Sequence, residues 1–369
     1  MTLPKDSPDL IPGMDGWKAI ALVMFMAEHF FMATGMRDKP VLYRPFSNGL
    51  MGVFALFVVA GYLVTRSLIK EERLKGKIRL ISFFRRRAVR ILPGLYGFLA
   101  GMVLLRAYFP LRWESIASAA ILTFNYEHGP HHDILRHLWA LPVEEHFFIF
   151  WGLALVFLRS RRAFWFLPCM IAISTVWRLH SSQNWVRHPF WTSWYPFTQS
   201  QFQAQTLAFG AILAVLENRP RFERICWCLM RWKAHWAALI YLFVISPWMI
   251  PIRFFSSHFW VYQPLFTPLA LTVLLLALLR TQNVLLLKFL EWRPLKAMGT
   301  AYFSIYLWQQ VVIFSFFKAP FGAIRAVETL GLIGIASSLS WALIERPLRH
   351  WLGTRGRTYE ETRASNETC

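Results

Sequence analysis

Two ionisable residues interrupt the first long apolar run of the chain. The segment Lys18-Ala-Ile-Ala-Leu-Val-Met-Phe-Met-Ala-Glu28-His29-Phe-Phe starts on a cation and carries a carboxylate beside an imidazole well inside it. Such groups are costly in hydrocarbon, and where they occur they serve polar paths, proton relays or the packing of a bundle. With Lys18 at the membrane edge, eleven helical residues at about 1.5 Å each carry His29 roughly 16 Å inward. A second polar set, His137-Leu-Trp139-Ala-Leu-Pro142-Val-Glu144-Glu145-His146, opens a later apolar run. Entered from the opposite side, it sinks Glu144 and Glu145 about 10 Å below that surface, a depth compatible with His29. Two polar sites at one depth invite pairing in a wet cavity. Adjacent helical residues point roughly 100° apart, so only one glutamate faces His29 squarely and the other needs a separate partner, such as an arginine. The third set is Phe83-Phe84-Arg85-Arg86-Arg87-Ala-Val-Arg90-Ile-Leu-Pro93. Arg86 shares a helix face with Arg90, Arg87 lies close to it in rotation, and guanidinium groups make directional, charge-assisted contacts to phosphate. Each set also has a structural reading: a histidine that fixes packing, an ion network that holds helices, and a basic exit that meets anionic head groups.

The elements that must position these groups come from a chain of 369 residues that is 56% hydrophobic, 17% aromatic and only 16% charged. That make-up lies outside the range of soluble domains. Ten apolar segments are expected to span a membrane, near 18–35, 49–66, 91–108, 138–157, 163–179, 202–216, 235–251, 261–279, 299–317 and 326–343, giving an all-α polytopic protein. Basic residues accumulate in cytoplasmic loops. The alternate connections 66–90, 159–162, 219–233, 280–296 and 346–357 hold 26 of the 40 Lys and Arg residues, against ten in the connections between them. Both termini are therefore expected in the cytoplasm, with residues 1–17 a short leading segment, 18–343 the membrane domain and 344–369 a tail that is polar and loose from Gly353. The same distribution explains the net charge of +20 without nucleic-acid binding, since no continuous basic face is formed. Residues 1–16 lack the basic start and cleavage site of an exported precursor, so an uncleaved chain is expected. The four cysteines, Cys169, Cys226, Cys228 and Cys369, have neither zinc spacing nor the density of a disulfide scaffold. Residues 115–125 read as a re-entrant or interfacial helix, and 283–297, with Pro294 inside, as a helix on the cytoplasmic surface.

The order of these sets resembles the membrane-bound acyltransferase family 3, whose members O-acylate sugars and related acceptors of bacterial envelopes. Asp15-Gly16-Trp17-Lys18 followed by His29 is similar to that family's opening pattern, with Lys18 where arginine is usual. Gly52 to Leu63 resembles its second-span signature, with Phe54 and Ala60 at positions that are commonly polar. Arg86, Arg87, Arg90 and Pro93 match its basic motif. His137, Trp139, Glu144 and Glu145 match a His-Trp-Ser-Leu-Ser-Val-Glu-Glu pattern in which Ala140 and Pro142 replace both serines. Gly299, Tyr302, Ser304, Tyr306, Leu307 and Trp308 resemble a later pattern, with Gln309 at the usual histidine, and Glu345 and Pro347 complete its end.

The resemblance implies transfer of an acyl group, most often acetyl, from acetyl-CoA or another acyl-CoA to a saccharide or other hydroxyl acceptor, in the bacterial inner membrane among its lipids. It implies no tightly bound cofactor and no metal. His29 would be the base, with Glu144 or Glu28 orienting its other nitrogen, and Lys18, Arg86, Arg87 and Arg90 would hold the donor. Asp15, His137, Trp139, Glu145, Tyr306, Trp308 and Gln309 would support the site or bind the acceptor. No deeply placed serine or cysteine has a recognisable activating histidine, so direct transfer is one route, beside an acyl-histidine intermediate or a relay that carries only the acyl group outward. A transporter or lipid-linked-sugar flippase, with Glu28, His29, Glu144 and Glu145 lining a polar path, is the alternative.

Overall fold

A computed structural model describes residues 11–33, 49–127, 133–185, 198–217, 219–249, 253–317, 322–348 and 350–351. Every described regular element is a helix, as expected of single segments in hydrocarbon, where only a helix satisfies its own backbone groups. In chain order these are α1 (Met14–Ala33), α2 (Gly49–Lys75), α3 (Leu80–Leu104), α4 (Trp113–Ala120), a 3-10 stretch Asp133–Trp139, α5 (Ala140–Ala163), α6 (Phe166–Trp185) and α7 (Ser200–Leu216). They continue as α8 (Pro220–Arg231), α9 (Ala234–Ile240), α10 (Arg253–Arg280), α11 (Val284–Leu290), α12 (Arg293–Thr300), α13 (Tyr302–Phe316) and α14 (Ala323–Ser340).

The expected ten spans are corrected by this arrangement. Among the described residues six helices are long and apolar enough to cross a membrane: Met14–Ala33, Gly49–Lys75, Leu80–Ala107, Ile134–Leu158, Tyr262–Arg280 and Ile324–Leu348. A seventh arises if Pro220–Arg231 and Ala234–Ile245, bent by 62°, form one span. The apolar runs at 202–216 and 299–317 make helices of 17 and 15 residues. At about 1.5 Å per residue these reach roughly 26 and 22 Å, short of the roughly 30 Å of hydrocarbon. Their apolar residues have a different use. Most of α7 is buried, including Gln203, Gln205 and Thr206, and so is most of α13. Both are interior helices whose apolar surface meets protein.

Helix α2 is the most enclosed span and α14 the least. It packs chiefly on α7 and also against α1, α10 and α5. A Cβ at Gly61 would stand 2.1 Å from the Leu207 oxygen, and one at Gly210 would stand 1.9 Å from the Val58 oxygen. Reciprocal glycines thus bring the two backbones together, the contact that replaces the hydrophobic drive between helices in lipid. The foot of α1 rests on α12 and α11. Glu291 accepts from the Gly13 N–H at 2.6 Å and from Lys296 Nζ at 2.5 Å. Burial works against its charged form, but these hydrogen bonds outweigh it and hold the Glu291 carboxyl below its ordinary range.

Two π turns share a sequence feature. Tyr241–Ile245 and Trp341–Glu345 are each followed two residues later by a proline, Pro247 and Pro347. In each, the residue before the proline donates its N–H five residues back, Ser246 to the Tyr241 oxygen and Arg346 to the Trp341 oxygen, which widens the turn. The second π turn ends at Glu345, 1% exposed, which accepts from the Ser304 hydroxyl and ties this span to α13. The expected surface helix at 283–297 resolves into α11 and α12, with Pro294 in the first turn of α12. Residues 115–125 form α4 and the start of a 3-10 turn, Phe124–Tyr126. The tail from Gly353 lies outside the described residues.

Candidate functional site

Positions i, i+4, i+7 and i+11 of a helix fall on one face, so α1 aligns Lys18, Leu22, Phe25 and His29. Two cavities lie along this face. The first, about 840 Å³ including its open mouth, is lined by Lys18, Arg87, Arg90, Glu144 and Tyr302 among apolar residues of α2 and α5. The second, about 520 Å³, is lined by Glu28, His29, Arg136, His137, Trp139 and Gln310 with apolar neighbours. Phe25 and Val53 line both.

His29 is 8% exposed, and its Nδ1 lies 2.9 Å from Gln309 Oε1 on α13. An amide oxygen only accepts, so Nδ1 carries the proton in this pair and Nε2 keeps the lone pair a base requires. The ring stands edge-on to Phe25, centroids 4.4 Å apart, and 5.9 Å from Phe314. Its hydrogen-bond partner is thus Gln309 rather than Glu144 or Glu28, the two that were expected. The reason lies in the Asp133–Trp139 stretch, whose buried Ile134, Leu135 and Leu138 draw it into the bundle. The Tyr306 hydroxyl donates to the His137 carbonyl, and the two rings lie 5.1 Å apart. His137 therefore joins His29 at the second cavity, and Glu144 falls to the first.

Glu144 and Glu145 share the separate partner that helix geometry required of one of them. Arg87, its side chain 9% exposed, reaches Glu144 Oε1 at 3.0 Å and Glu145 Oε1 at 2.5 Å, and its guanidinium sits 4.0 Å above the Phe148 ring. A guanidinium so engaged is directed at carboxylates and not at a donor phosphate. Arg86 is half-exposed, bonded to Ser82 at 2.8 Å and Glu71 at 3.2 Å, and lines neither cavity. Arg90 and Lys18 do line the first cavity, both close to Tyr302. The Arg90 guanidinium is 5.9 Å and the Lys18 ammonium 5.8 Å from that ring, and Lys18 also pairs with Asp15 at 2.9 Å.

Glu28 lies over the start of α2, where a Cβ at Gly49 would meet its Oε2 at 2.1 Å. Trp139 borders the second cavity beside Phe57, with centroids 6.0 Å apart. Trp308 instead packs on α3, 5.2 Å from Phe98 and against Gly101, and lines neither cavity. The lining residues that the sequence left without a role include Arg136, Gln310, Phe25 and Tyr302. Arg136 immediately precedes His137, so its place beside a polar motif was an available signal; Phe25 reads only as another apolar residue. The sequence also offers no activated serine, yet Ser200 Oγ lies 2.8 Å from His146 Nδ1 and 2.9 Å from Asn125 Nδ2. Ser200 is 7% exposed and lines neither cavity, so this trio ties α5, α7 and the 124–126 turn together. Among the described residues no group of three or more His, Cys, Asp or Glu side chains is gathered as a metal would require.

Residues 11–345 match the family described as the acyltransferase domain. The chain is 26% identical over 377 aligned residues to O-acetyltransferase OatA of Staphylococcus aureus (strain NCTC 8325 / PS 47), with 93% of this chain and 58% of that protein covered. It is also 26% identical over 375 residues to Peptidoglycan O-acetyltransferase OatA of Listeria monocytogenes serovar 1/2a, with 92% of this chain and 56% of that protein covered. The chain thus spans little more than half the length of these curated relatives. No solved structure matches it.

Proposed function

This chain is a multi-pass membrane protein that belongs to the acyltransferase domain family, and from that premise we propose that it moves an acyl group, acetyl in the simplest case, from acyl-CoA to a hydroxyl of a cell-envelope saccharide. The observation that carries the reading is His29: its Nδ1 is tied to Gln309 and it borders the second cavity beside Glu28 and Arg136, one residue away from a cavity edged by Lys18 and Arg90. Both relatives are named O-acetyltransferases, which supports the reaction class, and one name specifies peptidoglycan.

In this mechanism His29 Nε2 takes the acceptor hydroxyl proton as the oxygen bonds to the acyl carbonyl carbon. The carbon–sulfur bond breaks, and the thiolate leaves with the proton that His29 held. Gln309 keeps the imidazole in the required tautomer. Lys18 and Arg90 hold donor phosphates, and the apolar wall of Val53, Leu56 and Phe57 suits the uncharged arm and acyl group. Glu28, Arg136 and Gln310 make the polar wall that the acceptor meets. Arg87 supports Glu144 and Glu145 at the donor cavity. The ten basic residues of 66–90 support a cytoplasmic donor side, with residues 1–17 and 344–369 as cytoplasmic flanks of a membrane domain over 18–343 in the bacterial inner membrane.

The test is reconstituted protein given labelled acetyl-CoA and a panel of envelope saccharides, followed by mass spectrometry of both vesicle compartments. Covalent acetylation, abolished in a correctly inserted His29→Ala protein, is expected. Acceptor that crosses unmodified would move the protein to the transport class, and wild-type transfer by the alanine variant would remove His29 as the base.

A further inference from the structure

We propose that Phe25, with Val53 opposite, limits the length of the acyl group that this protein transfers, by standing as the partition between the donor cavity and the cavity of the base. The inference rests on the acyl-transfer reading above. These are the two residues that line both cavities, and they are buried, at 5% and 4% exposure. Along α1 the rise from Lys18 to Phe25 is about 10 Å and from Phe25 to His29 about 6 Å. A donor anchored at Lys18 and Arg90 therefore meets Phe25 before its carbonyl reaches an oxygen deprotonated by His29.

The neighbours of the Phe25 ring are pinned, whereas the ring itself is held by packing alone. On one side is His29, 4.4 Å away and bonded to Gln309. On the other is Tyr306, stacked at 6.0 Å, with its hydroxyl bound to the His137 carbonyl. Rotation of the Phe25 side chain would join the cavities. A two-carbon group needs a small opening. Each further methylene needs space that the ring occupies, and beyond the ring it would meet the polar side of the second cavity at Glu28, Arg136 and Gln310. One methylene too many in a shaped apolar site costs about 10- to 200-fold in kcat/KM.

Kcat/KM for acetyl-, propionyl- and butyryl-CoA would be measured with one acceptor in reconstituted wild-type, Phe25→Ala, Val53→Ala and Val53→Phe proteins. The wild type is expected to fall about tenfold or more per added methylene. Phe25→Ala should raise the butyryl-to-acetyl ratio about 100-fold or more, Val53→Ala should raise it less, and Val53→Phe should lower it. A purely structural role would slow all three donors alike and leave the ratio unmoved. If Phe25→Ala does not fold, the two Val53 variants decide the matter, and an unchanged ratio in both overturns the inference. Absence of acetyl transfer by the wild type, in contrast, would fail the functional reading itself.

Discussion

Replacing Gln309 by leucine separates positioning from folding. Gln309 is fully buried, and its Oε1 is the acceptor for His29 Nδ1 at 2.9 Å. Leucine keeps the apolar bulk but leaves that N–H buried without an acceptor, which costs roughly 1–3 kcal/mol. The fold need not lose this amount, because Gln309 Nε2 is itself buried with no hydrogen-bond partner among the described residues, and leucine removes that orphan too. The two changes offset, so the thermal midpoint should stay nearly unchanged. Catalysis has no such compensation. The imidazole loses the contact that selects its tautomer and fixes its plane, and the lost hydrogen bond is stronger in the transition state, where the ring is cationic. At about 1.4 kcal/mol per factor of ten, kcat should drop about 5- to 160-fold, with the KM for acetyl-CoA little changed. Gln309→Glu keeps an acceptor oxygen at the same reach and should recover most of the rate. The assay is initial-rate acetylation of a saccharide in proteoliposomes, with intrinsic fluorescence melting as the folding control. A leucine variant that turns over at the wild-type rate, or a glutamate variant as slow as leucine, would refute the positioning of His29 by Gln309.

Arg87→Met should destabilise the protein by about 3–5 kcal/mol, since it strands Glu144 and Glu145 without their cation, and adding Glu144→Gln and Glu145→Gln should restore most of the melting temperature; a triple variant as unstable as the single one counts against the ion cluster. Lys18→Ala or Arg90→Ala should weaken acyl-CoA binding in a titration, whereas Arg86→Ala, turned toward Glu71 and outside the cavity lining, should leave it close to wild type. The Glu291 carboxyl is held below its ordinary value of 4.5, so its clamp on Gly13 is fully stabilising above that pH and is lost as pH falls through the lower folded-state value. The melting-temperature gap between wild type and Glu291→Gln should accordingly close in acid, and a gap that is constant from neutral to about pH 3 would exclude the linkage.

Much of the site is local and was readable as such. Lys18 and His29, eleven residues apart on one helix, share a face by helical period alone, and the polar sets inside apolar runs mark themselves by their cost in lipid. The requirement that one of two adjacent glutamates find its own partner followed from the angle between neighbouring side chains, and Arg87 supplies it. Residues whose identity is ordinary and whose importance comes from position were invisible. Phe25 is one phenylalanine among 33 until two cavities are seen to meet at it. Ser200 and His146, 54 positions apart, carry no shared local pattern.

The amino-acid sequence by itself determined the helical class, the membrane setting and the family pattern, and it singled out His29 as a candidate, because hydropathy, helical period and the desolvation cost of charge act within a single segment. Only the tertiary structure decided how many helices are spans, which partner holds the imidazole and where one cavity ends and the next begins. An apolar run is equally content against lipid or against another helix, so α7 and α13 declare themselves interior only once α1, α2 and α5 enclose them. The hydrogen bond from His29 to Gln309 joins residues 280 positions apart, and the packing that brings α1 onto α13, not any local preference, makes that contact.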